Sequence, residues 1–265
     1  MTGASPPLRF YGTPPYRIAV LHGGPGALGS VAPLARKLGR SRGVLEPLQT
    51  ALSVASQVEE LHASLEEHAS EGPVTLIGSS WGAMLAYIFA ARHPERVRKA
   101  ILVGSAVYED RYAAEIQTTR LSRLSSEEQR ELDGLTARLD GPDADAALAR
   151  IGELSSKADT YDPLPPEKDT PPGDVRIDVY QRVWEDAARL RTSGALLELG
   201  RAIRCPVVAI HGDYDPHPAA GVFEPLSRVV ADFRFVLLER CGHEPWKERQ
   251  AHALFFALLE QELAD

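Results

Sequence analysis

Ser80, Asp215 and His243 have the residue types and settings needed for nucleophilic attack on a carbonyl. Ser80 lies in Gly78-Ser79-Ser80-Trp81-Gly82, a G-x-S-x-G pentapeptide entered by an apolar, strand-like run and left by an apolar, helix-like one. A serine mounted on such a tight strand-to-helix turn has its hydroxyl pushed out above the sheet. The crowding leaves room only for very small residues two before and two after it, and Gly78 and Gly82 supply these. The helix N-terminus behind the serine favours developing negative charge. The hydroxyl is a poor nucleophile until a base takes its proton, and that base needs an acid to fix its tautomer. His243 sits in Cys241-Gly242-His243-Glu244-Pro245, after the strand-like Phe235–Leu238. Asp213 and Asp215 sit in His211-Gly212-Asp213-Tyr214-Asp215-Pro216, after the strand-like Val207–Ile210. The order serine, acid, histidine suits this arrangement. Asp215, further into its loop, is the preferred acid, and Asp213 is the alternative, or else a brace for the loop. His217, two residues after Asp215, is the main rival to His243 as base; His62, His68 and His252 fall within helical runs.

Attack on a carbonyl creates an oxyanion that needs two preorganised donors. The backbone N–H of Trp81 is one candidate. The other is Gly24, in the loop His22-Gly23-Gly24-Pro25-Gly26 that ends the first strong strand. A competing reading starts from the same loop. Gly24-x-Gly26-x-x-Gly29 is a formal G-x-G-x-x-G, with Glu46 about where a ribose-binding acid would fall, so the sequence also admits a dinucleotide-dependent oxidoreductase. Pro25 counts against it, because it removes an N–H where a pyrophosphate needs donors. It also leaves Ser80, Asp215 and His243 without a role.

The elements that must position these residues alternate. Strands are expected at 17–22, 44–46, 74–78, 99–104, 205–212 and 233–238, and helices at 31–39, 53–68, 83–92 and 251–263. Ser53 is the expected N-cap of the second helix. Such alternation implies an α/β fold, a mostly parallel sheet with helices on both faces. The pattern breaks between Val107 and Gly200, a polar and mostly helical stretch with a helix start at Ser125-Ser126-Glu127-Glu128, a further helix over 177–191, and a loop over 162–173 carrying five prolines. The expected organisation is therefore one α/β core, 1–106 and 201–265, with a helical cap inserted at 107–200 over the sheet's carboxyl edge, where ligands bind in open sheets.

Acidic residues outnumber basic ones by 37 to 29, giving a net charge of −8, so no nucleic-acid partner is expected. No apolar stretch is long enough to suggest a membrane span. Met1–Pro7 lacks a basic start and an apolar core, so cytoplasmic placement is expected. The two cysteines, Cys205 and Cys241, each border a strand and are expected as buried thiols, with a disulfide left open. Oligomeric state is not legible.

The HGGPG loop, the G-x-S-W-G elbow, the Gly212–Asp215 loop and Gly242-His243 together resemble the α/β-hydrolase superfamily. HGGPG with a tryptophan after the serine is most similar to its proline iminopeptidase-like branch. The resemblance covers roughly 17–106 and 201–263. It implies Ser80 as nucleophile, Asp215 as acid, His243 as base, and Gly24 and Trp81 as oxyanion donors. It also implies hydrolysis of a small ester or amide through an acyl-enzyme, with no cofactor and no metal. Two departures stand out. Few residues precede the first strong strand, so one or both strands of the branch's early β-hairpin are expected to be missing. The peptidases hold a substrate's amine with acidic cap residues, and here Glu185 (beside Trp184), Glu153 and Glu109 are candidates fixed by no motif. A carboxylesterase is thus as well supported as an aminopeptidase, and a ligand-binding protein of the same fold without turnover is the third class.

Overall fold

The computed structural model describes residues 7–165 and 175–264. Seven strands, β1 (Leu8–Tyr11), β2 (Tyr16–Leu21), β3 (Gly43–Pro47), β4 (Val74–Ser79), β5 (Val97–Val103), β6 (Val207–Gly212) and β7 (Phe233–Leu238), form one sheet in the order β1-β3-β2-β4-β5-β6-β7. All neighbours run parallel except β1, which pairs antiparallel with β3. Among the described residues one strand therefore precedes the strand of the glycine loop, and it lies beside β3 and makes no hairpin with β2.

Alternation along the strands sends side chains to two layers. Ile18, Val20, Ile77, Ile101 and Ile210 face α1 (Ala32–Leu38) and α10 (His252–Glu262). Ala19, Leu21, Leu76, Leu102 and Ala209 face α2 (Val54–His68), α3 (Trp81–Arg92) and α9 (Ala220–Val229). α3 is the central helix: Trp81 through Ala91 are all buried, as its all-round apolar sequence requires. α2 starts where its cap predicts, with the Ser53 hydroxyl accepting the Ser56 N–H.

Between the adjacent strands β5 and β6 the described residues hold α4 (Asp110–Ser122), α5 (Ser126–Thr136), α6 (Ala144–Asp159), α7 (Ile177–Thr192) and α8 (Ala195–Glu198), with no strand. Ser125 and Glu128 close a reciprocal capping box at the start of α5. Helices α4 to α6 enclose a small cluster of their own around Leu124, Leu132, Leu135 and Leu154. α7 instead buries Val179, Val183 and Ala187 in the main core. Most of the proline-rich loop, from 166 on, lies outside the described residues. Cys205 and Cys241 are free, buried thiols, and burial pushes the Cys205 thiol up to about 11.

Candidate active site

Ser80 caps α3 directly after β4, with φ 53° and ψ −115°. A serine at positive φ costs on the order of 1–3 kcal/mol, so its surroundings must impose the turn. They do so by crowding. A Cβ on Gly82 would stand 2.3 Å from the Leu21 carbonyl oxygen, and one on Gly78 would stand 2.1 Å from the Gly82 oxygen. The Ser80 N–H donates to the Val103 carbonyl at 3.0 Å, which pins the turn to the end of β5.

The residue just after that strand, Gly104, lies against the imidazole of His243. A Cβ there would be 3.1 Å from His243 Nδ1 and 3.4 Å from Asp215 Oδ2. Ser80 and the His243–Asp215 pair thus both rest against the carboxyl end of β5. His243 Nδ1 donates to Asp215 Oδ2 at 2.7 Å. Asp213 does not reach an imidazole; its Oδ1 accepts the Cys241 N–H at 3.1 Å and braces the loop. His217 is on the same carboxylate, with its N–H and its Nδ1 donating to Oδ1 at 2.9 and 2.8 Å.

Electrostatics follow from this packing. Burial alone would raise the Asp215 carboxyl, but the charges of His243, His211 and His217 and the His217 hydrogen bond hold it well below the usual range. Burial would lower His243, and the charge and hydrogen bond of Asp215, with Asp159 behind, reverse this and raise it. His217 stays lowered: burial outweighs Asp215, and His243 and Arg120 push the same way as burial. Asp215, His217 and His243 are also the one group of potential metal ligands found among the described residues, with ligand atoms within 4.8 Å of one another. A carboxylate only accepts, so the Nδ1 atoms facing it carry protons rather than a free lone pair.

The backbone of the His243 loop is held by hydrogen bonds. The His243 N–H donates to the Asp159 carbonyl at 2.9 Å. Glu248, almost fully buried, accepts the N–H groups of Gly242 and Tyr161 on Oε1 and that of Asp162 on Oε2, each at 2.8 Å. Asp159 is held in turn by a bidentate Arg120, at 2.8 and 2.5 Å. At the other side, the Arg176 N–H donates to the Gly26 carbonyl at 2.9 Å. The helical stretch between β5 and β6 is therefore tied to both the histidine loop and the glycine loop. Nothing in the sequence marked Glu248, Asp159 or Arg120 for this, because an acid that collects backbone N–H groups has no motif.

In the glycine loop, Gly24 adopts φ 53° and its carbonyl accepts the Ala27 N–H at 2.8 Å. His22 is buried beneath, accepting the Gln49 N–H on Nε2 at 3.1 Å, so Nδ1 donates to the Gly23 carbonyl at 3.0 Å. Burial pulls this imidazole down to about 4 and keeps it neutral. Trp81 opens α3, so its N–H belongs to the first turn, whose donors have no acceptor within the helix. Its indole is buried and donates to Gln57 Oε1 at 2.9 Å, and the ring meets Trp184 of α7 edge-on at 5.6 Å.

The acids expected to hold an amine each have an arginine partner. Glu185, Glu153 and Glu109 accept from Arg189, Arg150 and Arg228 at 2.7, 2.6 and 2.6 Å, and the first two of these pairs are exposed on both sides. Glu46, the would-be ribose acid, is buried against β1, taking the Tyr11 hydroxyl at 2.6 Å with Arg9 at 3.7 Å. Burial raises its carboxyl despite both partners. The oxidoreductase reading loses its acid.

Residues 16–246 match the family model described as the alpha/beta hydrolase fold, and the chain belongs to that family. A pimeloyl-[acyl-carrier protein] methyl ester esterase of Neisseria meningitidis serogroup B is 25% identical over 206 residues, covering 74% of this chain and 70% of that protein. Among solved structures, VinJ is similar with a TM-score of 0.67 and 20% identity over 96% of this chain and 94% of that one. A proline iminopeptidase of Mycobacterium smegmatis is similar with a TM-score of 0.62 and 18% identity over 97% of this chain and 93% of that one. Among the described residues no helix is long and apolar enough to cross a membrane.

Proposed function

We propose that this α/β hydrolase is a serine carboxylesterase acting on a small ester, with Ser80 as nucleophile, His243 as base and Asp215 as the acid that orients it. The observation that carries the reading is the 2.7 Å His243–Asp215 hydrogen bond beside a positive-φ serine at the head of α3. His243, with Nδ1–H on the carboxylate, offers the lone pair of Nε2 to the Ser80 hydroxyl. The alkoxide attacks the ester carbonyl. The oxyanion takes the backbone N–H groups of Trp81 and Gly24. His243 then protonates the departing alcohol, and water activated by the same ring hydrolyses the acyl-enzyme.

Esters are favoured over peptides because Glu185, Glu153 and Glu109 already hold arginines, while Trp184 sets an apolar surface against Trp81. The esterase named among the relatives supports the same choice; the HGGPG loop and the tryptophan of the elbow keep the proline iminopeptidase-like branch as the place of origin. In this reading residues 107–200 are a cap that selects the acyl group, and the protein works on a soluble small-molecule ester in the cytoplasm.

The test is a panel of p-nitrophenyl esters of increasing acyl length beside aminoacyl naphthylamides. Ester turnover lost in Ser80→Ala, with no naphthylamide cleavage, is expected. Naphthylamide cleavage at comparable kcat/KM would move the protein to the peptidases. Turnover that survives Ser80→Ala would refute the mechanism.

A further inference from the structure

We infer that His217 is a positioning residue for the base: by holding one oxygen of Asp215 it limits how strongly that carboxylate draws a proton onto His243. The inference rests on the serine-hydrolase reading only for its effect on rate; the geometry is independent of it.

His217 is a built position. Its backbone N–H and Nδ1 both donate to Asp215 Oδ1, and its carbonyl accepts His211 Nε2 at 2.8 Å. Its ring stacks on that of His243 with centroids 4.6 Å apart and planes at 23°. Since a carboxylate cannot donate, both rings carry a proton on Nδ1, and the neutral form of each keeps its lone pair on Nε2. Two cations stacked this closely in a buried site would repel, so the pair takes up one proton, not two. The surroundings choose which ring. Around His217 stand Asp215 from its own loop, His211 from β6, His243 from the loop after β7, and Arg120 from α4; around His243 stand Asp215, His217, Asp159 and Arg120. Burial with Arg120 and His243 keeps His217 neutral, while Asp215 and Asp159 favour the proton on His243.

A neutral His217 has two effects. It leaves the imidazolium formed when Ser80 gives up its proton facing an uncharged ring. It also occupies Oδ1, and a carboxylate that already accepts two hydrogen bonds there is a weaker partner for His243 on Oδ2. Without the Nδ1 donor, His243 would bind its proton more tightly and would be less often the free base at neutral pH.

Ring titration by NMR on the full chain, with His243→Gln to assign signals, tests this without requiring turnover. In the wild type both rings should show the Nδ1–H neutral tautomer at alkaline pH, with His243 titrating first as pH falls. His217→Phe keeps the stack and removes the donor; the His243 midpoint should rise by about half to one pH unit, and the acid limb of kcat/KM should move with it. His217→Asn keeps a donor at the Nδ1 position and should restore the wild-type midpoint. An Nε2–H tautomer for His217, an unmoved midpoint in His217→Phe, or the same shift in both variants would overturn the inference. If the Phe variant does not fold, the wild-type tautomers and the Asn midpoint decide. Midpoints that move as stated in a protein whose Ser80 hydrolyses nothing would refute the esterase reading and leave this inference standing.

Discussion

The backbone N–H of His243 donates to the carbonyl of Asp159, the last residue of α6, at 2.9 Å. The candidate base is thereby fastened to the helices between β5 and β6 as well as to the strand ends. Glu248 completes the fastening with its three backbone N–H partners, and a Cβ on Gly242 would stand 2.0 Å from that same Asp159 oxygen. Glu248→Ala removes the acceptor of all three, leaving the buried Gly242 N–H without a partner at roughly 1–3 kcal/mol and the two part-buried ones at less. Its Tm should fall by on the order of 10 °C, at about 2–4 °C per kcal/mol for a chain of this size. Glu248→Gln, which keeps an acceptor oxygen, should fall by less than half as much, both read by calorimetry.

The raised value of His243 and the depressed value of Asp215 fix the pH dependence. The base must be neutral to act, so kcat/KM should rise with pH through a midpoint above the ordinary imidazole value of 6.5. Protonated His243 is favoured by the fold, so its contribution to stability is full below the unfolded value and is lost as pH rises through the folded one. Asp215→Asn should cost on the order of 10⁴ in kcat, since the amide can present the wrong group to Nδ1. A pH–rate series on the best ester checks both.

His22 is buried and neutral, pulled down to about 4, so the unfolded chain binds a proton there that the folded one refuses. Stability contributed at neutral pH should be lost as pH falls from about 6.5 towards 4, and His22→Gln should flatten that slope in urea titrations. Because His22 carries the loop of Gly24 through Gly23, the variant should also lower kcat by about 10-fold or more if Gly24 is an oxyanion donor.

Trp184→Ala removes the edge-on partner of Trp81 and should raise KM for long or aromatic acyl esters more than for acetyl ones. Glu185→Gln breaks only an exposed pair on one helix, worth a few tenths of a kcal/mol at most, and should change neither kcat nor KM. A selective loss of amide cleavage in Glu185→Gln would restore its amine-binding role.

The strands and helices of the core were legible because each carries its own period: the apolar run of α3, the stripe of α2 behind Ser53, and strand runs ending in glycine loops. Ser80 was legible because the elbow needs Gly78 and Gly82 at fixed spacing, a local steric demand written into five residues. Asp215 and His243 were legible as loop residues after strands, and the choice of Asp215 over Asp213 followed from loop position. What the sequence hid depends on long-range packing. The pairing of β1 with β3, the sharing of Asp215 by His217 and His243, and the grip of Glu248 on segments 86 and 87 residues away all arise from contacts that leave no local pattern. The ion pair of Glu185 is, by contrast, a local one: Arg189 lies four residues on along the same helix and donates to it.

The central claim is that Ser80 is activated by the His243–Asp215 pair. Labelling of the full chain with a fluorophosphonate, located by peptide mass spectrometry, tests it most directly. The account predicts one adduct on Ser80, absent in Ser80→Ala and slowed by at least about 10³-fold in His243→Gln. An unlabelled wild type, an adduct on another residue, or labelling indifferent to His243 would contradict it.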